Sequence, residues 1–224
     1  MTAELGTQAM LVDLADSTAN DLSATRAWRP VEQELRRGKV KALTIDLPCN
    51  TWSRARRAPP WSRMPKPLRG DGPGELWSLK GLTEKDQAKV AAANRMTRAA
   101  FRAIKVADSL SIPGFLENPR KSRLWQTRGI KNLLKSASTQ IVNFSMCQYG
   151  TQWRKDTRLL VFGLPKGSVV LDVCQGRRGK CSRTHRAHLN LTGIQGKHFT
   201  TAQAQVYPRG FALAVMPTLL RATA

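Results

Sequence analysis

The order of apolar and polar residues in the first third of the chain predicts one helix, one strand and one long loop. Residues 28–37 predict a short helix that ends at Gly38, because glycine commonly follows the last turn of a helix. The apolar run at 40–46 predicts a buried strand that leads into a proline-containing turn. Residues 52–81 contain five of the twelve prolines and three of the six tryptophans, which predicts a long loop.

Residues 83–109 give the clearest helical pattern in the chain. Thr83 followed by Asp86 resembles a capping box, and no glycine or proline interrupts the residues that follow. At 100° per residue, one face of this helix is apolar and comprises Val90, Ala93, Thr97, Ala100, Phe101 and Ile104. The opposite face carries Arg95, Arg98, Arg102 and Lys105, a pattern that is typical of a solvated helix surface.

The second half of the chain predicts further strands and one more helix. Strands are predicted at 114–116, 141–145, 158–163 and 169–173, and a basic helix is predicted at 124–136. Strands that alternate with helices indicate an α/β layered sheet. We expect an α/β domain over residues 1–165 and a small basic segment containing cysteine and histidine over residues 166–224.

The charge of the chain points to a polyanionic partner. Lys and Arg number 37 against 15 Asp and Glu, a formal charge of +22. Such self-repulsion disfavours a compact state unless a polyanion neutralises it, and phosphate backbones are the commonest polyanion. No long apolar stretch, signal peptide or lipidation signal is present. We therefore expect a nucleic acid as partner, no membrane association, and a soluble intracellular protein of the cytoplasm, nucleus or a nucleoprotein particle.

Two short motifs place reactive side chains directly after predicted strands. Cys49 lies in the turn after the strand at 40–46, and nearby arginines favour its thiolate, although free cysteines are usually buried small apolar residues. Glu117 and Asn118 follow the strand at 114–116, and a carboxyl group held there can act as a general acid. The alternative is an ordinary Glu-Asn turn before Pro119. Ligands of open α/β sheets bind beyond the carboxyl ends of strands, so we expect Cys49 and Glu117 to line one cleft.

Basic residues around these motifs are candidates for phosphate contacts. They are Arg54, Arg56, Arg57, Arg63, Arg69, Arg120, Lys121 and Arg123. A third motif, CQYGTQWRKDTR, adds Gln152, Arg154, Lys155 and Arg158 before another strand.

The three motifs, in this order over about residues 20–163, resemble those of the cytosine-C5 DNA methyltransferases, most closely the divergent phage and algal members. Pro48 and Cys49 match the Pro-Cys loop of that family, and Glu117 and Asn118 match its Glu-Asn-Val motif with proline in place of valine. Tyr149, Gly150, Gln152 and Arg154 resemble the Tyr-Gly…Gln-x-Arg-x-Arg motif, with Arg158 as the displaced second arginine.

The resemblance implies a Rossmann-like methyltransferase sheet and a flipped cytosine at its edge. Cys49 would attack C6 of the base, Glu117 would bind or protonate N3 with Asn118 beside it, and Arg154 and Arg158 would orient the base. S-adenosylmethionine would supply a methyl group to C5, with Pro48 and Asp21 near the cofactor. The resemblance also favours DNA over RNA as partner.

The glycine-rich cofactor loop of that family has no counterpart before Cys49, where the only glycines are Gly6 and Gly38. We therefore expect a sheet that lacks its N-terminal part. An alternative is a catalytically inactive methyltransferase-like scaffold in a ribosome or virion.

The C-terminal segment suggests a metal site. Cys174 and Cys181 are separated by six residues, and His185 and His188 follow them. With Cys147 from upstream, these side chains can form a four-ligand zinc site, and we expect Cys147, Cys174, Cys181 and His188 to be its ligands. The alternatives are a basic turn at Gly176 and Gly179 without metal, and a small zinc-stabilised RNA-binding protein.

Overall fold

A computed structural model of the chain describes residues 27–56, 65–191, 194–195, 198–199, 204 and 206–222. Its helices and strands, in chain order, are α1 (Trp28–Arg36), β1 (Leu43–Asp46), α2 (Glu84–Ser109), β2 (Gly114–Pro119), α3 (Arg128–Leu133), β3 (Gln140–Ser145), β4 (Asp156–Phe162), β5 (Ile194–Gln195), β6 (His198–Phe199) and α4 (Arg209–Arg221). Two short 3₁₀ helices, Arg123–Gln126 and Met146–Tyr149, precede α3 and follow β3.

Four strands form a mixed sheet in the order β1-β2-β4-β3. β1 and β2 are parallel, whereas β4 is antiparallel to both β2 and β3. The α/β class predicted from the sequence is therefore confirmed. The sheet is not purely parallel, because β3 and β4 are joined through a short connection at residues 146–155 and pair as neighbours.

The strand predicted at 169–173 is wrong. The N–H of Asp172 donates to the Tyr149 hydroxyl at 2.7 Å, and the N–H of Cys174 donates to Ser145 Oγ at 3.0 Å. These backbone groups are satisfied by side chains at the end of β3 and not by a neighbouring strand. Val170, in the same stretch, is 83% exposed. The apolar run is therefore an irregular segment.

Helices cover both faces of the sheet. On one face, the apolar stripes of α1, α2 and α3 pack on Leu116, Leu160 and Phe162. Thr83 caps α2 as predicted by accepting a hydrogen bond from the N–H of Asp86. Every residue of the predicted apolar stripe of α2 is buried.

The C-terminal helix α4 covers the other face. Phe211 of α4 stacks on Phe144 of β3 with ring centroids 4.5 Å apart, and it meets Phe115 of β2 edge to face. Val169 belongs to the same apolar cluster. The core of the described residues therefore continues across the boundary predicted at residue 165. In the described part of the chain, no helix combines the length and apolar character needed to cross a bilayer.

Candidate functional site

The site is built where β1 and β2 end side by side. In their parallel register Asp46 lies opposite Glu117, so the two carboxyl groups are neighbours. Part of Asp46 is exposed to solvent, but the burial of its carboxyl group against the neighbouring residues raises its pKa. Two carboxyl groups this close oppose each other's ionisation, and Asp46 adds to the elevation of the pKa of Glu117.

Cys49 lies in a tight turn directly after β1. Its carbonyl oxygen accepts hydrogen bonds from the N–H groups of Trp52 at 3.0 Å and Ser53 at 2.8 Å. The side chain of Asn118 donates through Nδ2 to the carbonyl oxygen of Leu47 at 2.9 Å. This bond joins the turn to β2 and explains why an asparagine next to Glu117 is useful: it fixes the position of Cys49 relative to β2.

The thiol of Cys49 is affected by the charges of Glu117 and Lys155. Burial is the largest influence and raises the pKa of Cys49, the Lys155 ammonium lowers it, and the Glu117 carboxylate raises it further. The structure therefore brings Cys49 and Glu117 together. With this balance Cys49 is a protonated thiol at neutral pH and becomes a nucleophile only when it loses its proton.

Glu117 is enclosed, with 7% of its side chain exposed. Lys155 Nζ is 3.6 Å from Glu117 Oε1, which is an ion-pair distance and longer than a good hydrogen bond. Glu117 Oε1 has no hydrogen-bond partner among the described residues. Burial raises the pKa of Glu117 to about 7, with Lys155 opposing the shift. Near neutral pH this carboxyl group therefore exists both as a donor and as an acceptor.

Sequence reasoning assigned no role at this site to two residues that the structure places there, Tyr207 and Lys155. The hydroxyl of Tyr207 donates to Asp46, and both nearby carboxylates together with burial raise the pKa of Tyr207, so it stays protonated. Lys155 Nζ donates to the carbonyl oxygen of Ala204 at 3.1 Å. Lys155 directly follows Arg154 in the third motif, and this position next to a predicted site residue could have indicated its role. Tyr207 precedes α4, and only the packing of α4 brings it to the sheet.

The two arginines of the third motif make other contacts, although Arg158 lies opposite Asn118 in the β2–β4 register. Arg154 Nε donates to Asp156 at 2.9 Å, and its Nη1 donates to the carbonyl oxygen of Gly176 at 3.4 Å. Arg158 Nε donates to Asn143 across the β3–β4 pair at 2.9 Å. Both arginines that were predicted to orient the base thus make contacts within the β3–β4 region. The cation beside Glu117 is Lys155.

The prediction that Arg69 contacts phosphate is wrong. Its side chain is fully buried, and its guanidinium carbon lies 3.5 Å from the centroid of the Trp52 ring. Nη1 donates to Asn94 Oδ1 at 2.8 Å and to the carbonyl oxygens of Leu76 at 3.1 Å and Trp77 at 3.0 Å. Burial lowers the pKa of Arg69 to about 10, so it keeps its charge at neutral pH. Arg69 holds the long loop against α2 and cannot reach a phosphate.

Arg54 and Arg123 are also used within the fold. Arg54 donates to both carboxylate oxygens of Asp71 at 2.7 and 2.6 Å, and Arg123 approaches the same carboxylate at 3.3 Å. Arg56 donates to the carbonyl oxygen of Lys66 at 2.8 Å. These arginines shape the loop that follows Cys49.

The remaining predicted residues divide into two groups. Arg120 and Lys121 are exposed directly after β2, as a phosphate contact requires, and Pro48 is exposed in the Cys49 turn. The predicted contacts Arg57 and Arg63 and the predicted cofactor residue Asp21 lie outside the described residues.

Comparison with known proteins adds no assignment: no family model, curated protein or solved structure matches the chain. The resemblance to cytosine-C5 methyltransferases therefore stays a prediction.

A second cluster of reactive side chains lies beyond the end of β3. The ligand atoms of Cys147, Cys174, Cys181 and His188 all lie within 4.8 Å of one another, and the three cysteines are free and buried. This cluster could hold a metal ion. Cys174 Sγ is 3.7 Å from His188 Nε2. That separation is near the roughly 3.5 Å edge of a tetrahedron with bonds of about 2.3 Å to sulfur and about 2.0 Å to nitrogen. His185, the other predicted candidate, is exposed in the turn between Cys181 and His188.

The local environment of the cluster favours thiolates at two positions. Burial raises the pKa of Cys181, but hydrogen bonds led by the N–H of Thr184 lower it more, to about 6. Burial likewise opposes the hydrogen bonds from Ser182 that bring the pKa of Cys174 to about 7. Burial and the neighbouring Cys174 raise the pKa of Cys147 to about 12. A divalent cation is the natural counter-charge for such a cluster, because thiolates are its ligands.

One short segment links the cysteine cluster to the site at Cys49. Residues 145–156 contain the ligand Cys147 near one end and Lys155 at the other. Ser145 Oγ donates to Asp156 at 2.6 Å and accepts a hydrogen bond from the N–H of Cys174 at 3.0 Å. The position of Lys155 beside Glu117 therefore depends on a connection that the cluster holds in place.

Neither Gly38 nor Gly114 is placed to hold S-adenosylmethionine. A cofactor loop needs glycines where a ligand approaches the backbone closely. Gly38 has a φ of +70° and ends α1, which is its structural role. A Cβ at Gly114 would meet the Leu43 carbonyl oxygen at 1.9 Å, so this glycine serves the packing of β1 against β2. We derive no methyl-transfer step.

Proposed function

We propose that this protein binds nucleic acid and holds an extruded cytosine base between Cys49 and Glu117, where the thiolate of Cys49 adds reversibly to C6 of the base. One observation carries the proposal: beside a cysteine in a fixed turn lies a buried carboxyl group with a pKa of about 7, and one of its oxygen atoms has Lys155 at ion-pair distance but no hydrogen-bond partner among the described residues. A buried, unsatisfied polar atom costs about 1–3 kcal/mol, so its retention calls for a ligand.

The protonated form of Glu117 matches one edge of cytosine. N3 of cytosine is an acceptor and its N4 amino group is a donor. A neutral carboxyl group presents one O–H donor and one carbonyl acceptor in the same plane, so it can form both hydrogen bonds at once. Uracil and thymine carry an N–H at position 3 and a carbonyl at position 4, which reverses this pattern. The raised pKa of Glu117 therefore favours cytosine over the other pyrimidines.

The proposed addition moves protons between Cys49, Glu117, the base and water. The thiol of Cys49 first releases its proton to water. Its sulfur then forms a bond to C6 while the C5–C6 π electrons shift towards C4 and N3, and N3 accepts the proton of Glu117. The ammonium of Lys155 stabilises the thiolate before addition and the Glu117 carboxylate after it. The resulting adduct has a nucleophilic C5 that takes a proton from water. Loss of the original C5 proton to water, return of the N3 proton to the Glu117 carboxylate and expulsion of the thiolate then restore cytosine.

The arrangement of the sheet supports a methyltransferase-like fold for this site. Cys49 and Glu117 lie at the carboxyl ends of two parallel strands, where α/β sheets bind ligands. β4 runs antiparallel between β2 and β3. We propose that the four strands correspond to the part of such a sheet that carries the Pro-Cys and Glu-Asn motifs. The preference for DNA over RNA rests on the family resemblance alone.

We also propose that the Cys/His cluster binds zinc as a structural ion. Four ligands of the type Cys₃His, all largely buried, are typical of closed structural zinc sites. Such an ion would fix the connection that carries Lys155 and would have no role in the reaction.

Exchange of the C5 hydrogen of cytosine with solvent tests the proposed reaction. We expect the protein to replace hydrogen by deuterium at C5 in a cytosine-containing oligonucleotide in heavy water, since protonation of the adduct at C5 and its reversal exchange that atom. Mass spectrometry of the recovered nucleosides measures the incorporation. The rate should fall at least about 100-fold in Cys49→Ala, in keeping with the loss of a nucleophile.

The controls separate chemistry from binding. Cys49→Ala should retain affinity for the oligonucleotide, because the charges that bind the backbone are unchanged. Exchange that persists in Cys49→Ala contradicts the proposal. Salt-dependent binding with no exchange in the wild-type protein contradicts the proposed reaction and supports the inactive nucleic-acid scaffold.

A further inference from the structure

A groove between α2 and α3 lies apart from the Cys49 site. It has a volume of about 230 Å³ and is lined by Arg98, Phe101, Arg102, Lys105, Gly129 and Asn132. Three of these six side chains are cationic and one is an amide, so the walls of the groove can donate many hydrogen bonds. The aromatic ring of Phe101 adds an apolar surface.

The cations of the groove form a row along α2. Arg98, Arg102 and Lys105 are exposed and fall within about 60° on the helix surface, because residues four and seven apart share a face. Together with Arg95 they extend over ten residues, or about 15 Å along the axis. Phosphates of one strand are about 3.4 Å apart along a duplex, so the row matches about four of them.

The shape of the groove is set by a glycine. A Cβ at Gly129 would lie 2.2 Å from Cε2 of Phe101, so a side chain there would displace the ring. Gly129 thus lets the first turn of α3 approach α2 closely. In the part of the chain that the structure describes, Glu32 of α1 lies 3.9 Å from Arg102, while Asp108 of α2 accepts a hydrogen bond from the Ser138 hydroxyl. The row therefore keeps a net positive charge.

The groove is connected to the Cys49 turn through residues 123–129. The N–H of Arg123 donates to the carbonyl oxygen of Trp52 at 3.0 Å, in the turn that contains Cys49. The chain then runs through the 3₁₀ helix to Thr127, which caps α3 by accepting a hydrogen bond from the N–H of Ile130. Residues 123–129 therefore join one wall of the groove to the turn that contains Cys49.

We propose that the α2–α3 groove binds the phosphodiester backbone of a nucleic acid. The inference deepens the proposed function, on whose nucleic-acid part it rests, by naming the surface that holds the backbone. It replaces the interpretation of the basic face of α2 as a merely solvated surface. Phosphate oxygens accept hydrogen bonds from arginine and lysine and release counterions when bound.

A matched pair of triple variants tests the groove. In Arg98→Ala/Arg102→Ala/Lys105→Ala the slope of log K against log salt concentration should become smaller in magnitude by about 2 to 3, since each lost phosphate contact removes about 0.9. The control Lys80→Ala/Lys85→Ala/Lys89→Ala removes the same charge from exposed positions outside the groove. We expect it to change the slope by less than about 1. Fluorescence anisotropy with a short labelled duplex, repeated with a single strand, gives these slopes.

A single substitution tests the groove without removing three side chains at once. Asn132→Asp adds one negative charge at the rim with almost no change of shape and should weaken binding at low salt about tenfold. Equal slopes in the two triple variants, or an unchanged slope in the groove variant, overturn the groove proposal. Cys49→Ala should leave the slope unchanged. A smaller slope in the groove variant, together with no C5 exchange in the wild type, supports the groove and contradicts the base site.

Discussion

Replacing His188 with Asn is expected to abolish metal binding and to unfold the segment between Cys174 and His188. His188 is one of four buried or partly buried ligands, and no disulfide joins the cysteines. Without an ion, the thiolates of Cys174 and Cys181 would repel each other in a site with little water. Metal binding at such sites contributes directly to folding, with a free energy comparable to the 5–15 kcal/mol that stabilises a typical domain, so we expect a loss of at least about 3 kcal/mol.

His185→Asn is the matched control for this prediction. His185 is exposed, and its φ of +58° is a conformation that asparagine tolerates. Elemental analysis should find about one zinc per chain in the wild type and in His185→Asn, and none in His188→Asn. Hydrogen exchange should show faster exchange over residues 174–188 and also near Lys155, because the 145–156 connection is anchored to the cluster. Zinc-free wild-type protein of unchanged stability contradicts this account.

Replacing Glu117 with Gln is expected to raise stability at alkaline pH and to remove activity. The glutamine side chain has the shape of the protonated carboxyl group but never ionises. Burial raises the pKa of Glu117 from 4.5 to about 7, so the native state binds a proton that the unfolded state has released over this pH range. The stability that Glu117 contributes is therefore present below about pH 4.5, falls as the pH rises through 7, and is lost above it.

The measurement is chemical unfolding of both proteins at about pH 5 and about pH 8. We expect Glu117→Gln to be more stable than the wild type by about 3 kcal/mol at the higher pH and by less than about 1 kcal/mol at the lower one. C5 exchange should fall at least about 100-fold in the variant, because glutamine cannot supply the proton for N3. In the wild type the exchange should decline as Glu117 ionises above about pH 7. A variant that is less stable at both pH values would contradict the assigned ionisation.

The sequence predicted those features that depend on local patterns. The helix at 83–109, its Thr83 cap and its buried stripe follow from helical periodicity and are confirmed. The metal ligands Cys147, Cys174, Cys181 and His188 were selected from residue type, and the structure gathers these four. The adjacency of Cys49 and Glu117 followed from two parallel strands that end at the same edge.

Features that depend on distant packing could not be predicted in this way. Arg69 looked like a phosphate contact in an arginine-rich loop, yet Trp52 and Asn94, from other parts of the chain, bury it. Tyr207 reaches Asp46 only because Phe211 anchors α4 on the sheet. The strand predicted at 169–173 had the right composition, but it touches β3 at the bond from the Ser145 N–H to the Asp172 carbonyl oxygen, while the Tyr149 hydroxyl takes the N–H of Asp172.

The central claim is that Cys49 attacks C6 of a base held by Glu117, and capture of the adduct tests it most directly. An oligonucleotide with 2-pyrimidinone in place of one cytosine lacks the 4-amino group, which makes C6 more electrophilic and lets the adduct accumulate. Intact mass spectrometry after incubation should show one oligonucleotide added per chain, and peptide mapping should place it on Cys49. The Cys49→Ala protein should give no adduct, and Glu117→Gln should give much less. An adduct on Cys147, Cys174 or Cys181, or none at all under conditions where the oligonucleotide is bound, would contradict the account.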